Sequence, residues 1–550
     1  MTEDYISGPA PMIQAICRDI GLTQTINHML QWDETRCKLS PGQRVEAMII
    51  NCLMNRSALY QLPVFFEHMD VENMFGQGIA PNDLNDHAMG RALDKMAAVG
   101  PEKVYGTVSL RVICEEDIDV GILHGDTTSV SVQGAYDEED PVLNLTHGYS
   151  KDRRPDLKQF LYGVGTTADA VPVIGQVRDG NKSDGPWNYE LISKLRKLLA
   201  VKETPPVYVA DSSLVCRDNL KAMTTEAISF ISRFPGNFSL EKALKDRAWG
   251  EDRWHPVGNF SERKDAARYR IQSFEEELYG VQYRFIVAHS SKLDGRKARS
   301  IDRQLQERED ELDKQLQKLS DRTFACEPDA HEAWRHFEGK HKDRCFCLQY
   351  RIEELHRPKK RSKPGRPPKG YVPKIEQVYT IRAEFSRDQE AIDTWKSQAS
   401  CFVLITNLFD QNEWSDRRIL EEYKNQSKVE QHFRFMKDPK VTGPIYLKNS
   451  ERVNALAYIF LLALLVYSII QRRARRALQH ETEPMYLAGR KWSHRPTGRR
   501  VLERFHQMRV IKLPDGTRVF PGNLKIPERV LRFLNVDADV YLNGPQPEQF

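Results

Sequence analysis

Three carboxylates stand where catalytic acids would be useful. Asp126 closes the stretch "VGILHGDTTS", Asp211 closes "PPVYVAD", and Glu430 lies within "YKNQSKVEQHFRFMK", which runs from Tyr423 to Lys437. Two acids at strand ends and one on a helix form a set of hard oxygen donors. Such a set suits Mg²⁺, which prefers oxygen ligands and keeps positions open for water and phosphate. Two such ions about 4 Å apart can activate a water or a hydroxyl and stabilise the leaving oxygen in phosphoryl transfer. In a chain with 77 acidic residues, any one of the three alone reads as a cap or a surface charge.

Positioning these acids requires particular elements. Across 1–115 the pattern is helical: Ile13, Ile16, Cys17 and Ile20 keep a helical spacing. Ser40 to Gln43 reads as a capping box, and Asp86 as the cap of a further helix. These helices could bind DNA ends or simply pack.

At Ile118 the period changes, and 116–235 reads as βββαβαβ, with Asp126 and Asp211 at strand ends and a turn at Ala168 to Ala170. Residues 236–399 read as an insertion of strands and a charged helix with Leu305, Leu312 and Leu316 at helical spacing. Residues 400–472 resume with a strand, a helix from about Asp416 to Lys437 and an apolar helix. Residues 473–550 form a basic tail.

On a single helix, Tyr423, Gln426, Glu430 and Lys437 fall at offsets 0, 3, 7 and 14, one stripe at the helical period. Val429, Phe433 and Met436 fall on the adjacent stripe, which faces a core. One side would serve metal and phosphate while the other anchors the helix.

Composition bounds the class. At 550 residues the chain is long enough for several domains, and with 40% hydrophobic residues it can bury real cores. Net charge is only +4, so distribution decides partners. Nine scattered cysteines suit a reducing compartment and argue against a disulfide framework. No secretion signal is evident, so a cytoplasmic location is expected. "ALAYIFLLALLVYSII" (Ala455 to Ile470) is shorter than the roughly 20 residues of a span and reads as a buried core helix, so no membrane is expected as a partner.

"YKNQSKVEQHFRFMK" resembles the Y-(2)-R-(3)-E-(6)-K signature of insertion-sequence transposases of the DDE class, with Tyr423, Glu430 and Lys437 in register and Gln426 where the family has arginine. "LHGDTTS" resembles the first-aspartate strand, "GYSKDRRPDLKQ" the loop after it, "VADSS" the second-aspartate strand and "FISRFP" the strand that follows, all in the family's order. The resemblance implies an α/β fold: an RNase H-like catalytic core interrupted by a mixed strand and helix insertion, with an N-terminal helical domain.

It also implies that Asp126, Asp211 and Glu430 hold two Mg²⁺ ions, for which Mn²⁺ can substitute, and that Tyr423 and Lys437 contact the DNA end. Gln426 keeps hydrogen bonding but lacks the charge and fork of arginine, and Lys424 or Lys428 could compensate. Double-stranded DNA, as element ends and target, is the implied partner, bound by a homodimer on paired ends at the nucleoid.

Between His356 and Lys374 lie eight Lys or Arg residues, five prolines and no acid, an extended basic linker. Within it "KPGRPPKG" resembles an AT-hook, whose core, here around Arg366, can enter a narrow A·T minor groove. The arginine-rich tail would add phosphate affinity. Two rival readings remain: a nuclease of the same fold that does not join strands, and a transposase-derived DNA-binding protein.

Overall fold

The computed structural model describes residues 2–54, 56–139, 141–150, 154–182, 184–199, 206–260, 265–359, 372–438, 445–487, 491–522 and 525–544. The chain is a mixed α/β protein and divides into two compact units, one of residues 1–235, 277–283 and 405–550, the other of 236–276 and 284–404.

In the first unit, helices Ala10–Asp19, Leu22–Met29, Pro41–Leu53, Asp86–Val99 and Pro101–Glu115 build the N-terminal part. Ile13, Ile16, Cys17 and Ile20 are fully buried, as their spacing predicts. Ser40 and Gln43 make the reciprocal capping box, with Gln43 N donating to Ser40 Oγ and Ser40 N to Gln43 Oε1. Asp86 does not cap the next helix. Asn85 does, because its side-chain oxygen accepts from Ala88 N at 2.9 Å; Asp86 sits in the first turn, where its charge favours the helix dipole.

The sheet of this unit begins with an antiparallel meander. With β1 as the short N-terminal strand Glu3–Tyr5, the meander strands are β2 (Ile122–Val132), β3 (Lys158–Thr167) and β4 (Pro172–Asp179). The β3–β4 turn places Ala170 at φ 64° and closes with Thr167 N donating to Val171 O. After the crossover helix Asp184–Leu199 comes β5 (Val207–Ala210), parallel to β2, and after helix Arg217–Thr225 comes β6 (Phe230–Arg233), parallel to β5. The order is β4-β3-β2-β5-β6. Antiparallel strands close through turns, whereas the parallel pairs need these helical crossovers.

The apolar run at 455–470 belongs to a longer helix, Ser450–Gln479. Its apolar window has a mean hydropathy of 2.3 and is long enough to cross a membrane, but 89% of that window is buried within the fold. It packs on β4 and the N-terminal helices; Tyr162 OH donates to Ala457 O, and Tyr458 OH accepts from Val177 N.

The C-terminal stretch is folded onto this unit. Val510–Lys512 pairs with β1, and Tyr541 OH donates to Gly8 O. Much of its positive charge is used internally: Arg472 pairs with Glu116 and Asp169, Arg473 with Glu116 and Asp19, and Arg518 with Asp70.

The second unit holds most of the mixed insertion. Its helix Gly295–Ser320 buries Leu305, Leu312 and Leu316 against Trp334, Phe346 and Ile381. The hairpin Phe346–Pro358 with Ile375–Arg387 is antiparallel throughout.

Candidate active site

The site is built where the parallel pairing of β2 with β5 ends: Asp211 follows β5, whereas Asp126, expected at a strand end, lies within β2 and pairs with Val164 of β3. The β2–β5 pairing runs from Ile122 with Val207 to His124 with Val209; carried two residues further, the same register sets Asp126 level with Asp211, which has by then left β5. In the β5–β6 register, Ala210 faces Ser232, so Asp211 is next to Arg233. One row across three neighbouring strands therefore reads Asp126, Asp211, Arg233. The carboxyl end of parallel strands is where α/β sheets place ligands.

Each aspartate is oriented locally. Thr127 N donates to Asp126 Oδ1 at 2.7 Å. Asp211 leaves the strand and starts a short 3₁₀ turn, where its Oδ1 accepts from Ser213 N at 3.0 Å and Ser213 Oγ at 2.5 Å. Ser213 Oγ accepts in turn from Asn188 Nδ2 at 2.9 Å, and Asn188 Oδ1 accepts from Tyr208 OH at 2.6 Å. Gly125 makes this packing possible, because a Cβ there would lie 2.3 Å from the Tyr208 hydroxyl.

The expected single helix from Asp416 to Lys437 is two helices, Asp416–Asn425 and Ser427–Lys437, broken at Gln426. Gln426 N donates back only three residues, to Tyr423 O, which tightens the turn; Asn425 and Ser427 are weak helix formers by residue type and favour such breaks. The four signature residues are therefore divided between two consecutive helices, with Gln426 between them in helical backbone at φ −55°, ψ −22°. Tyr423 is on the first helix, Gln426 at the break, and Glu430 and Lys437 on the second. Phe433 and Met436 are buried as expected.

Tyr423 joins the two halves of the site. Its hydroxyl is hydrogen-bonded by Arg233 and lies in the field of both Asp211 and Glu430. Burial raises its pKa above the ordinary tyrosine value; the Arg233 charge opposes that rise, and the two carboxylates add to it. Glu430 is exposed. The second helix is held on β2 and β3 through His432, whose Nδ1 lies 3.3 Å from Thr166 Oγ1. On the first helix, Glu422 Oε2 is 4.0 Å from His124 Nε2, and His124, fully buried, is two residues before Asp126 on the same face of β2.

A divalent cation can be tested against this geometry. Asp126 and Asp211 supply hard oxygen donors side by side, and Asp211 Oδ2 has no hydrogen-bond donor among the described residues. The two aspartates fit such an ion. Glu430 shares the Tyr423 hydroxyl's surroundings with Asp211, but among the described residues no three His, Cys, Asp or Glu side chains are gathered closely enough to grip a metal.

Lys437 ends the second helix, seven residues and about 10 Å along the axis from Glu430. Lys428 is in the same helix, with its side chain outside the described residues, and Arg366 with its AT-hook-like segment lies outside them altogether. Sequence reasoning missed Arg233, Ser213 and Asn188. Arg233 was detectable by the rule that found the aspartates, since it too is the first charged residue after an apolar strand, in "ISFISR".

Residues 9–110 match the family described as "Domain of unknown function (DUF4277)". No curated protein matches the chain.

Proposed function

We propose that the chain is a DNA transposase of the DDE class with an RNase H-like core. In this reading it binds the terminal inverted repeats of its element as a homodimer on paired ends, at the nucleoid in the cytoplasm. The observation that carries the reading is the β2–β5 register, which carried on sets Asp126 level with Asp211, with Tyr423 lying in the field of both Asp211 and Glu430. The matched N-terminal family, found in transposase-like proteins, supports it.

Asp126, Asp211 and Glu430 would hold Mg²⁺ or Mn²⁺. Bound there, the ions would supply charge stabilisation for phosphoryl transfer. The chain's own side chains do the rest. Arg233, at the end of the acidic row, offsets the carboxylate charge and presents a guanidinium suited to a non-bridging phosphate oxygen. The Tyr423 hydroxyl is kept protonated by burial, so it can donate to the same phosphate. Ser213 and Asn188 fix the direction of Asp211.

Two reactions follow in order: hydrolysis of the phosphodiester frees a 3′-hydroxyl, and that hydroxyl then attacks a target phosphodiester, exchanging one P–O bond for another. A nuclease of the same fold would stop after the first.

The test is cleavage and joining of labelled duplex ending in the inverted repeats that flank the gene, with Mg²⁺ or Mn²⁺. Intact protein should nick and join, and Asp126→Ala, Asp211→Ala and Glu430→Ala should bind but do neither. Nicking without joining would select the nuclease, and binding without cleavage by the intact chain would select a DNA-binding role.

A further inference from the structure

A cleft of ≈ 820 Å³ opens beside the Glu430 helix, between that helix, the long helix Ser450–Gln479 and the segment that follows it. Four arginines line it: Arg434, Arg475, Arg495 and Arg499. Among the described residues only two acids do, Asp438 and Glu503, and Arg499 engages both, at 3.1 and 3.6 Å. Arg434, Arg475 and Arg495 therefore have no carboxylate partner among the described residues. Arg475 is half-buried, and among those residues its one hydrogen bond runs from Nε to Pro496 O at 2.9 Å.

This arrangement is costly as it stands. Burial and the like charge of Arg495 both push the Arg475 guanidinium below its ordinary pKa. A partly desolvated cation facing a second cation gains most when an anion enters between them.

The location narrows the anion. Arg434 is four residues after Glu430 on the same helix, which places it on the same face one turn away. One wall carries the rings of Phe435 and Tyr467, tilted by 37° with centroids 4.5 Å apart, an aromatic surface beside the guanidiniums. A free phosphate would use neither the length of the cleft nor that wall. From these residues we propose that the cleft binds backbone phosphate of a DNA strand that continues along the helix from Glu430, with Arg475 and Arg495 as the paired phosphate donors. The assignment rests on the reading of the chain as a DNA-handling protein.

Binding of a fluorescent mixed-sequence duplex by the full chain, measured against NaCl concentration in EDTA, tests it without any chemistry. The double variant Arg475→Gln/Arg495→Gln should flatten the plot of log affinity against log salt by about two, near 0.9 for each phosphate no longer neutralised. Arg475→Lys/Arg495→Lys, which keeps both charges, should retain the slope and thereby separate charge from misfolding. An unchanged slope in the glutamine variant would overturn the proposal, as would no binding by the unmodified chain. Thermal melting with inorganic pyrophosphate supplies the second arm: stabilisation of the unmodified chain with an unchanged DNA slope would assign the cleft to small anions and overturn the strand assignment. Cleavage that survives Asp126→Ala would sink the catalytic reading alone and leave this one standing.

Discussion

Asn188 donates its Nδ2 to Ser213 Oγ at 2.9 Å, and Ser213 passes its own hydroxyl to Asp211 Oδ1 at 2.5 Å. A residue of the crossover helix thus aims an acid at the end of the neighbouring strand. Removing the amide in Asn188→Ala should raise the Mg²⁺ concentration for half-maximal cleavage about 10- to 100-fold, the usual cost of losing support behind a ligand. It also deletes the acceptor of the buried Tyr208 hydroxyl, at about 1–3 kcal/mol. A metal titration run beside thermal melting separates the two. A lower melting point with an unchanged metal requirement would show that Asn188 only supports the fold.

Arg233 is the positive end of the row Asp126, Asp211, Arg233. If it meets the phosphate, Arg233→Gln should slow cleavage by about 10²- to 10³-fold, the scale for deleting one donor to developing charge. Duplex affinity should change far less, because one exposed charge is a small share of a phosphate interface. Single-turnover rates and binding isotherms on the same substrate decide. Equal losses in rate and affinity would mean that Arg233 only attracts DNA.

Asp211 was legible as a strand end because the apolar run stops abruptly there, whereas Asp126, expected at a strand end, lies within β2, which continues through hydroxyl-bearing residues to Val132. Their register was not, since parallel pairing is set by crossovers whose geometry depends on packing. The break at Gln426 was missed for a related reason. Asn425, Gln426 and Ser427 fit the helical period, and only the bond from Gln426 N to Tyr423 O interrupts it. The tail was legible only in its composition. An arginine-rich run looks alike whether solvated or paired, and the partners of Arg473 and Arg518 lie hundreds of residues earlier, at Glu116, Asp19 and Asp70.

Gly125 precedes Asp126 because the Tyr208 ring occupies the space a side chain would need. A Cβ would meet the Tyr208 hydroxyl at 2.3 Å and Cε2 at 2.5 Å. Gly125→Ala should cost about 1–3 kcal/mol by overpacking. Tyr208→Ala opens that space, so the double variant should be less destabilised than the sum of the singles. Urea midpoints for the four proteins measure the coupling. Strict additivity would show that the ring does not set the choice of glycine.

His432 makes acid stability a test of how the Glu430 helix is held. Its imidazole is buried against Thr166 and Ser468, with Nε2 3.5 Å from Ser468 Oγ. Burial, with a smaller contribution from the nearby Arg475 charge, lowers its pKa from 6.5 to about 4. The folded chain therefore refuses a proton that the unfolded chain accepts below pH 6.5. The stability tied to the neutral ring is fully present above that pH and is lost as pH falls toward 4, at up to about 1.4 kcal/mol per pH unit. His432→Gln should be less stable at pH 7.5 but lose less on going to pH 4.5, because no imidazole remains to charge. Urea midpoints at half-unit steps read this directly. Parallel curves for the two proteins would mean that the ring titrates normally, and that the helix carrying Glu430 is not anchored through a neutral His432.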